Sequence, residues 1–312
     1  MKNIIKTSLA VAIMAFVGFN SFSQVDPYSP EYQSMKEQGL FEQPQQVNPV
    51  EPIPAILPSD PGSRVGGLLV PLDGSFTAFP ANDDGSVGPL SLPFDFCFYG
   101  VTETSFYVNN NGNVSFGSPY SSFTPSGFPD PTFVMLAPFW ADVDTRGAGS
   151  GLVWYKIEPN RVVVIWDQVG YWSNHADLKN TFELIFTNGL DPLIGIGNNV
   201  AFSFDVMQWT CGDIGGSGGF GTYAATVGVN RGNGVDYALV GLFDHPGSDY
   251  DGPGGANDGV SYLDGKYYAF DACEENIIID PPPPDVPISN WALFIGLFLI
   301  VAFAVIRFRK LV

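Results

Sequence analysis

The chain has 312 residues, with 13 basic and 32 acidic side chains, a formal net charge of −19, two histidines and three cysteines. So acidic a surface repels phosphate backbones and anionic lipid, which excludes nucleic acid and anionic membrane surfaces as partners. The scarcity of histidine counts against acid–base catalysis, because histidine is the side chain most often used for it.

In chain order, residues 1–23 have basic residues at Lys2 and Lys6, an apolar run from Leu9 to Phe19, and a small-x-small ending Ser21-Phe22-Ser23. That is the pattern of a secretory signal peptide cleaved before Gln24, and the absence of a cysteine there argues against a lipoprotein anchor. Residues 24–61 hold eight prolines and several glutamines. They predict a disordered leader with at best one helical turn around Glu31 to Gln38. From Gly62 to Cys273 the texture becomes glycine, aromatic and β-branched, with frequent turn signals, which predicts a single all-β domain, an antiparallel sandwich.

Several strands can be placed in it. Phe94 to Tyr99 is the first clear one. Ser105 to Asn109 and Asn113 to Phe116 flank Asn110-Asn111-Gly112, a strong hairpin signal. Arg161 to Trp166 is apolar on both faces and reads as a central strand. Thr181 to Thr187 alternates, as do Val200, Phe202, Phe204 and Val206; Thr226 to Val229 and Tyr267 to Phe270 complete the set.

After a proline-rich spacer, 274–287, the stretch 288–306 is uncharged and long enough as a helix, about 28 Å, to cross a bilayer. Arg307, Arg309 and Lys310 follow at once and predict a cytoplasmic tail, 307–312. The two ends hold five basic residues and no acidic ones, so the stretch between has eight basic against 32 acidic residues, a net charge of −24. The protein is therefore expected to be exported and membrane-anchored, its domain outside the cytoplasm. In such a compartment three cysteines allow one disulfide. Cys97 in the first clear strand and Cys273 just after the last are the expected pair, with Cys211 free.

Candidate chemistry is sparse. His175 and His245 sit in polar, turn-rich settings, and no Gly-x-Ser-x-Gly elbow is present. Gly216, Gly218 and Gly221 satisfy G-x-G-x-x-G, but the residues after them read as strand rather than the helix a dinucleotide site needs. Calcium is the one cofactor the sequence offers. Asp249-Tyr-Asp251-Gly252 pairs two carboxylates before a turn glycine, with Asp258 close by. Asp142 and Asp144 form a second pair. Against both stands the reading of aspartates as turn formers that cap local amides. Phe139, Trp140, Trp154, Trp166, Trp172 and Trp209 either stack on sugars or fill the core, and Trp172, beside Ser173-Asn174-His175, is the one expected to be exposed.

The stretch Ala137-Pro-Phe-Trp-Ala-Asp-Val-Asp-Thr145 resembles the signature of the nidogen-like (NIDO) domain, the extracellular module of nidogen, tectorin and related surface proteins. Tyr107 to Phe116, Gly151 to Tyr155, Val164 to Trp166, Val169 to Tyr171, Asn180 to Phe186, Trp209 to Gly212 and Ala225 to Gly228 match the family in order. Ile165 and Glu183 depart from its usual threonine and glutamine. The resemblance implies a non-enzymatic module for extracellular interaction or adhesion, with a surface protein or glycan as partner. The alternative is a carbohydrate-binding or carbohydrate-active protein with an acidic and aromatic cleft. The tail also resembles bacterial surface-sorting signals, although Val286-Pro-Ile-Ser289 departs from the usual Val-Pro-Glu-Pro.

Overall fold

The computed structural model describes residues 26–41, 62–63, 67–253 and 258–274. The signal peptide, the spacer beyond Glu274, the apolar segment 288–306 and the basic tail lie outside the described residues. Among those described, no helix is long and apolar enough to cross a membrane.

The described chain is mostly strand. β1 (Gly62–Ser63), β2 (Thr77–Phe79) and β3 (Ser86–Phe98) come first. β4 (Val101–Asn109) and β5 (Asn113–Phe116) form the hairpin that the Asn-Asn-Gly turn predicts. β6 (Val134–Trp140) and β7 (Val143–Asp144) carry the nine-residue signature. β8 (Val153–Ile157), β9 (Arg161–Tyr171), β10 (His175–Thr187) and β11 (Val200–Phe204) run as an antiparallel meander. The glycine-rich loop closes as the small hairpin of β12 (Gly216–Ser217) and β13 (Phe220–Gly221). It leads into strand, β14 (Ala225–Asn230), and then β15 (Tyr237–His245). β16 (Asp258–Gly259), a 3-10 turn at Val260–Leu263 and β17 (Lys266–Phe270) end the domain.

Two sheets result. One runs β1-β17-β11-β10-β9-β8-β2, with β7 on β9; the other runs β16-β15-β14-β6-β5-β4-β3. All pairs are antiparallel except β15 with β16. The inner faces share one core, in which Phe96, Phe106, Val114, Leu136 and Phe139 meet Val162, Val164, Trp166, Phe182 and Phe186. Alternation explains this: along β9, Val162, Val164 and Trp166 point inward, while Val163 and Ile165 point to the opposite face. That opposite face is also covered, by Phe76 and the segment Leu68 to Leu72, which is why β9 is apolar on both sides.

A polar clamp holds the covering segment down. The Glu183 carboxylate, fully buried, accepts hydrogen bonds from the Leu69 and Val70 amides at 2.9 and 3.0 Å and from Ser203 Oγ at 2.6 Å. Two elements depart from expectation, and the cysteine pairing follows it. β11 stops at Phe204, and Val206 lies beyond it, 47% exposed. Within the leader, α1 (Pro30–Glu37) is a full two-turn helix. Cys97 and Cys273 form a disulfide, with Cα atoms 4.9 Å apart, and Cys211 is a buried free thiol. The bond links β3 of one sheet to the segment just beyond β17 of the other.

Glu183→Ala leaves the Val70 amide without its acceptor, at a cost of about 1–3 kcal/mol, and leaves the Leu69 amide only the 3.4 Å contact with Ser203 Oγ. The melting temperature should fall, and hydrogen exchange at Leu69 and Val70 should quicken. An unchanged melt with unchanged exchange would count against the clamp.

Candidate functional site

The signature runs from one sheet to the other. Its first half is β6, paired with β5 and β14; its second half is β7, paired with β9. Asp142 sits in the crossing. The Asn-Asn-Gly turn takes the place of a ladder partner there. Asn111 Oδ1 accepts from the Val143 amide at 3.1 Å, Asn110 Nδ2 donates to the Val143 carbonyl, and the Asn111 carbonyl accepts from the Ala141 amide at 3.3 Å. Gly112, at φ +73°, has no room for a side chain: a Cβ would lie 1.7 Å from the Phe139 carbonyl oxygen. Trp166 Nε1 donates to the Asn110 carbonyl at 2.9 Å, tying the turn to the central strand.

Beside the crossing, the turn before β3 brings in two more carboxylates. Asn82 and Thr145 bond mutually, and Asp83 bridges Asp144, so the turn is held against the second half of the signature. Asp83, Asp84 and Asp142 thereby converge, and all three are buried. Asn111 Nδ2 steadies Asp84 at 2.6 Å. Asp144 turns the other way, into a two-pronged contact with Arg146 at 2.9 and 2.7 Å. Thus the signature's Asp-x-Asp serves two different cations.

The first of these cations comes from the leader. Lys36 Nζ lies 2.7 Å from Asp84 Oδ2, 2.7 Å from Asp142 Oδ1 and 3.1 Å from Asp83 Oδ1, with no side-chain exposure. Phe123 and Trp172 stand at 4.2 and 5.4 Å from the ammonium to ring centroid, within cation–π range. Burial works against the charged ammonium, but the three carboxylates outweigh it and raise the Lys36 pKa. Burial in turn pushes Asp83 up to about 7, assisted by the neighbouring Asp84 charge, and raises Asp142. Tyr32, one turn before Lys36 on α1, is buried beside the same carboxylates, and Phe41 meets Phe123 edge-on at 5.7 Å. The pocket therefore holds the primary ammonium of a helix that also carries Tyr32.

Sequence reasoning found one wall of this site, Asp142, and missed its occupant. The signal was present: Ser29 followed by Pro30 and Glu31 is a helix start, and Ser29 Oγ does accept from the Tyr32 amide at 3.1 Å. Tyr32 and Lys36, four apart, then share a face. Trp172 is 7% exposed, contrary to expectation, because the leader packs over it and Gly212 behind Asp142 gives it room. Trp140, Trp166 and Trp209 are fully buried, so they fill the interior. His175 stacks on Tyr171 and meets Asp213 at 2.8 Å; His245 meets Asp244 at 2.6 Å.

The residues named for calcium lie elsewhere. Asp249 and Asp251 are exposed. Asp258 is buried and its carboxylate accepts from the Leu242 and Asp251 amides at 3.2 and 3.3 Å. Among the described residues, the three acids that come within reach of a single ion are instead Asp83, Asp84 and Asp142.

Comparison with known proteins places this geometry in context. A family model described as "NIDO related" matches residues 66–250. Alpha-tectorin of Homo sapiens is 29% identical over 211 residues, covering 58% of this chain and 9% of that protein; alpha-tectorin of Mus musculus gives the same figures. Nidogen of Drosophila melanogaster is 27% identical over 137 residues, covering 36% of this chain and 10% of that protein. The chain thus spans about a tenth of the length of these relatives. No solved structure matches it. The range matched by the family contains the pocket's three carboxylates but not Lys36.

Burial raises the Asp258 carboxyl from 3.8 to about 7. The folded chain then keeps a proton that the unfolded chain has released, so stability falls as pH rises from about 4 to about 7. Asp258→Asn removes that dependence, although its single amide oxygen serves only one of the two backbone amides, which bond different carboxylate oxygens in the parent. The melting temperature of the variant relative to the parent should therefore rise by at least about 2 °C between pH 5 and pH 8, the shift of roughly 1 kcal/mol in a domain of this size. An equal gap at both pH values would contradict the assignment.

Proposed function

Since the chain belongs to the NIDO-related family, we propose that it is a non-enzymatic interaction module, displayed outside the cytoplasm and held at a membrane by its C-terminal segment. The observation that carries this reading is the filled pocket. The acids that converge at the signature converge on a lysine of the same chain, a binding arrangement rather than a pair of acids flanking a substrate. The Cys97–Cys273 disulfide supports an oxidising, extracytoplasmic setting. The extracellular character implied by the family resemblance supports the same setting. The partner is a surface protein or a glycan, and binding requires no reactive group.

Two measurements test this. Incubated with envelope proteins and glycans, the chain should bind a partner and release no product. Removal of one essential acid–base group commonly costs about 10² to 10⁴ in rate. A turnover activity lost in a single variant such as Asp213→Asn would therefore overturn the module reading. For the anchor, protease added outside the cytoplasmic membrane should reach 62–273 and spare 307–312. Deleting 288–312 should release the domain from the membrane fraction. Retention of the truncated chain there would remove the anchor from the proposal.

A further inference from the structure

The pocket and its occupant are separable parts. The walls come from the domain, residues 83–84, 123, 142 and 172; the occupant comes from α1, which joins no sheet. No covalent bond fixes α1 in place, since the disulfide joins Cys97 to Cys273. Its seat depends on the Lys36 ammonium, on Tyr32 and on the contact of Phe41 with Phe123. An eight-residue helix is marginal in water by itself, so α1 draws its order from whichever pocket receives it.

The connection between the parts is long. Twenty residues, 42–61, separate Phe41 from β1. At roughly 3.3–3.6 Å per residue they reach up to about 70 Å, whereas a domain of some 210 residues has a radius of gyration of about 17 Å. The pocket of an adjacent molecule is within that reach.

We propose that the pocket is a lysine-recognition site through which copies of this chain join: α1 of one copy seats its Lys36 among Asp83, Asp84 and Asp142 of a second copy. This names a partner for the interaction module and rests on that reading. The contacts within one chain and between two are the same, so exchange needs no new interface, which is the condition for domain swapping. The difference is the linker. A tether of twenty residues gives the intramolecular seat an effective concentration on the order of millimolar. Dilute chains therefore keep their own helix, and chains crowded on a surface trade it.

Two full-length variants test the exchange. Lys36→Ala keeps the pocket and loses the ammonium; Asp84→Asn/Asp142→Asn keeps the ammonium and loses the charge of its two nearest partners. Differently tagged and mixed, the two should capture each other about tenfold or more above either variant alone, because the intact helix then meets an intact, vacated pocket. Near-ultraviolet circular dichroism checks that both domains fold. If the double variant does not fold, a synthetic peptide of residues 26–41 replaces it: it should bind the Lys36→Ala chain, and the peptide carrying Lys36→Ala should not. Cross-capture no greater than for either folded variant alone, or a peptide that fails to bind the folded Lys36→Ala chain, would overturn the proposal. Binding of an external partner, measured separately as above, would still stand or fall by itself.

Discussion

The arrangement depends on one constraint: a strand must leave one sheet and enter the other within three residues, without abandoning its backbone hydrogen bonds. Buried amides and carbonyls without partners are costly, so such a crossing needs substitute partners. Asn110 and Asn111 supply them, through their side chains to Val143 and through the Asn111 carbonyl to Ala141. Gly112 lets the turn press against Phe139 at a distance no side chain would permit. The crossing leaves Asp142 between the sheets, facing Asp83 and Asp84, and the acidic pocket follows from that placement.

Much of the fold was legible in the sequence because burial in a sandwich alternates along each strand. The run from Arg161 to Trp166, apolar on both faces, reads correctly as central, and the matched motifs prove to be bonded partners. Asn180, for example, holds the backbone of Gln208 and Trp209 through its side chain, so two motifs that looked independent form one contact. What alternation cannot reveal is convergence. Asp83 and Asp84 lie nearly sixty residues before Asp142 and look like turn formers; only the closed sandwich brings them together. Lys36 was hidden for another reason. The proline and glutamine content of 24–61 masked the one stretch with a helix start, and Trp172 looked exposed because its sequence neighbours are polar while its actual cover is distant in the chain.

The electrostatics of the pocket favour selectivity over stability. A buried ion cluster repays its desolvation only when geometry is good, and replacing it by apolar groups is often neutral or better. Removing one partner, however, leaves charge stranded. Three buried carboxylates within 3.1 Å of one nitrogen, between two aromatic rings, fit a compact ammonium. The surrounding acidity of the chain deepens that preference, since few cationic side chains are available to compete.

The disulfide has a mechanical meaning as well. It joins Cys97 to Cys273, 176 positions apart, and so shortcuts the covalent path between the chain's two ends. Tension applied at the leader and at the C-terminal segment would pass from Cys97 to Cys273 through sulfur, and the backbone from 98 to 272 would carry none of it. Those residues include the whole signature and the pocket's Phe123, Asp142 and Trp172. A domain wired in this way can be pulled at both termini by its surroundings while most of its sandwich stays off the line of force.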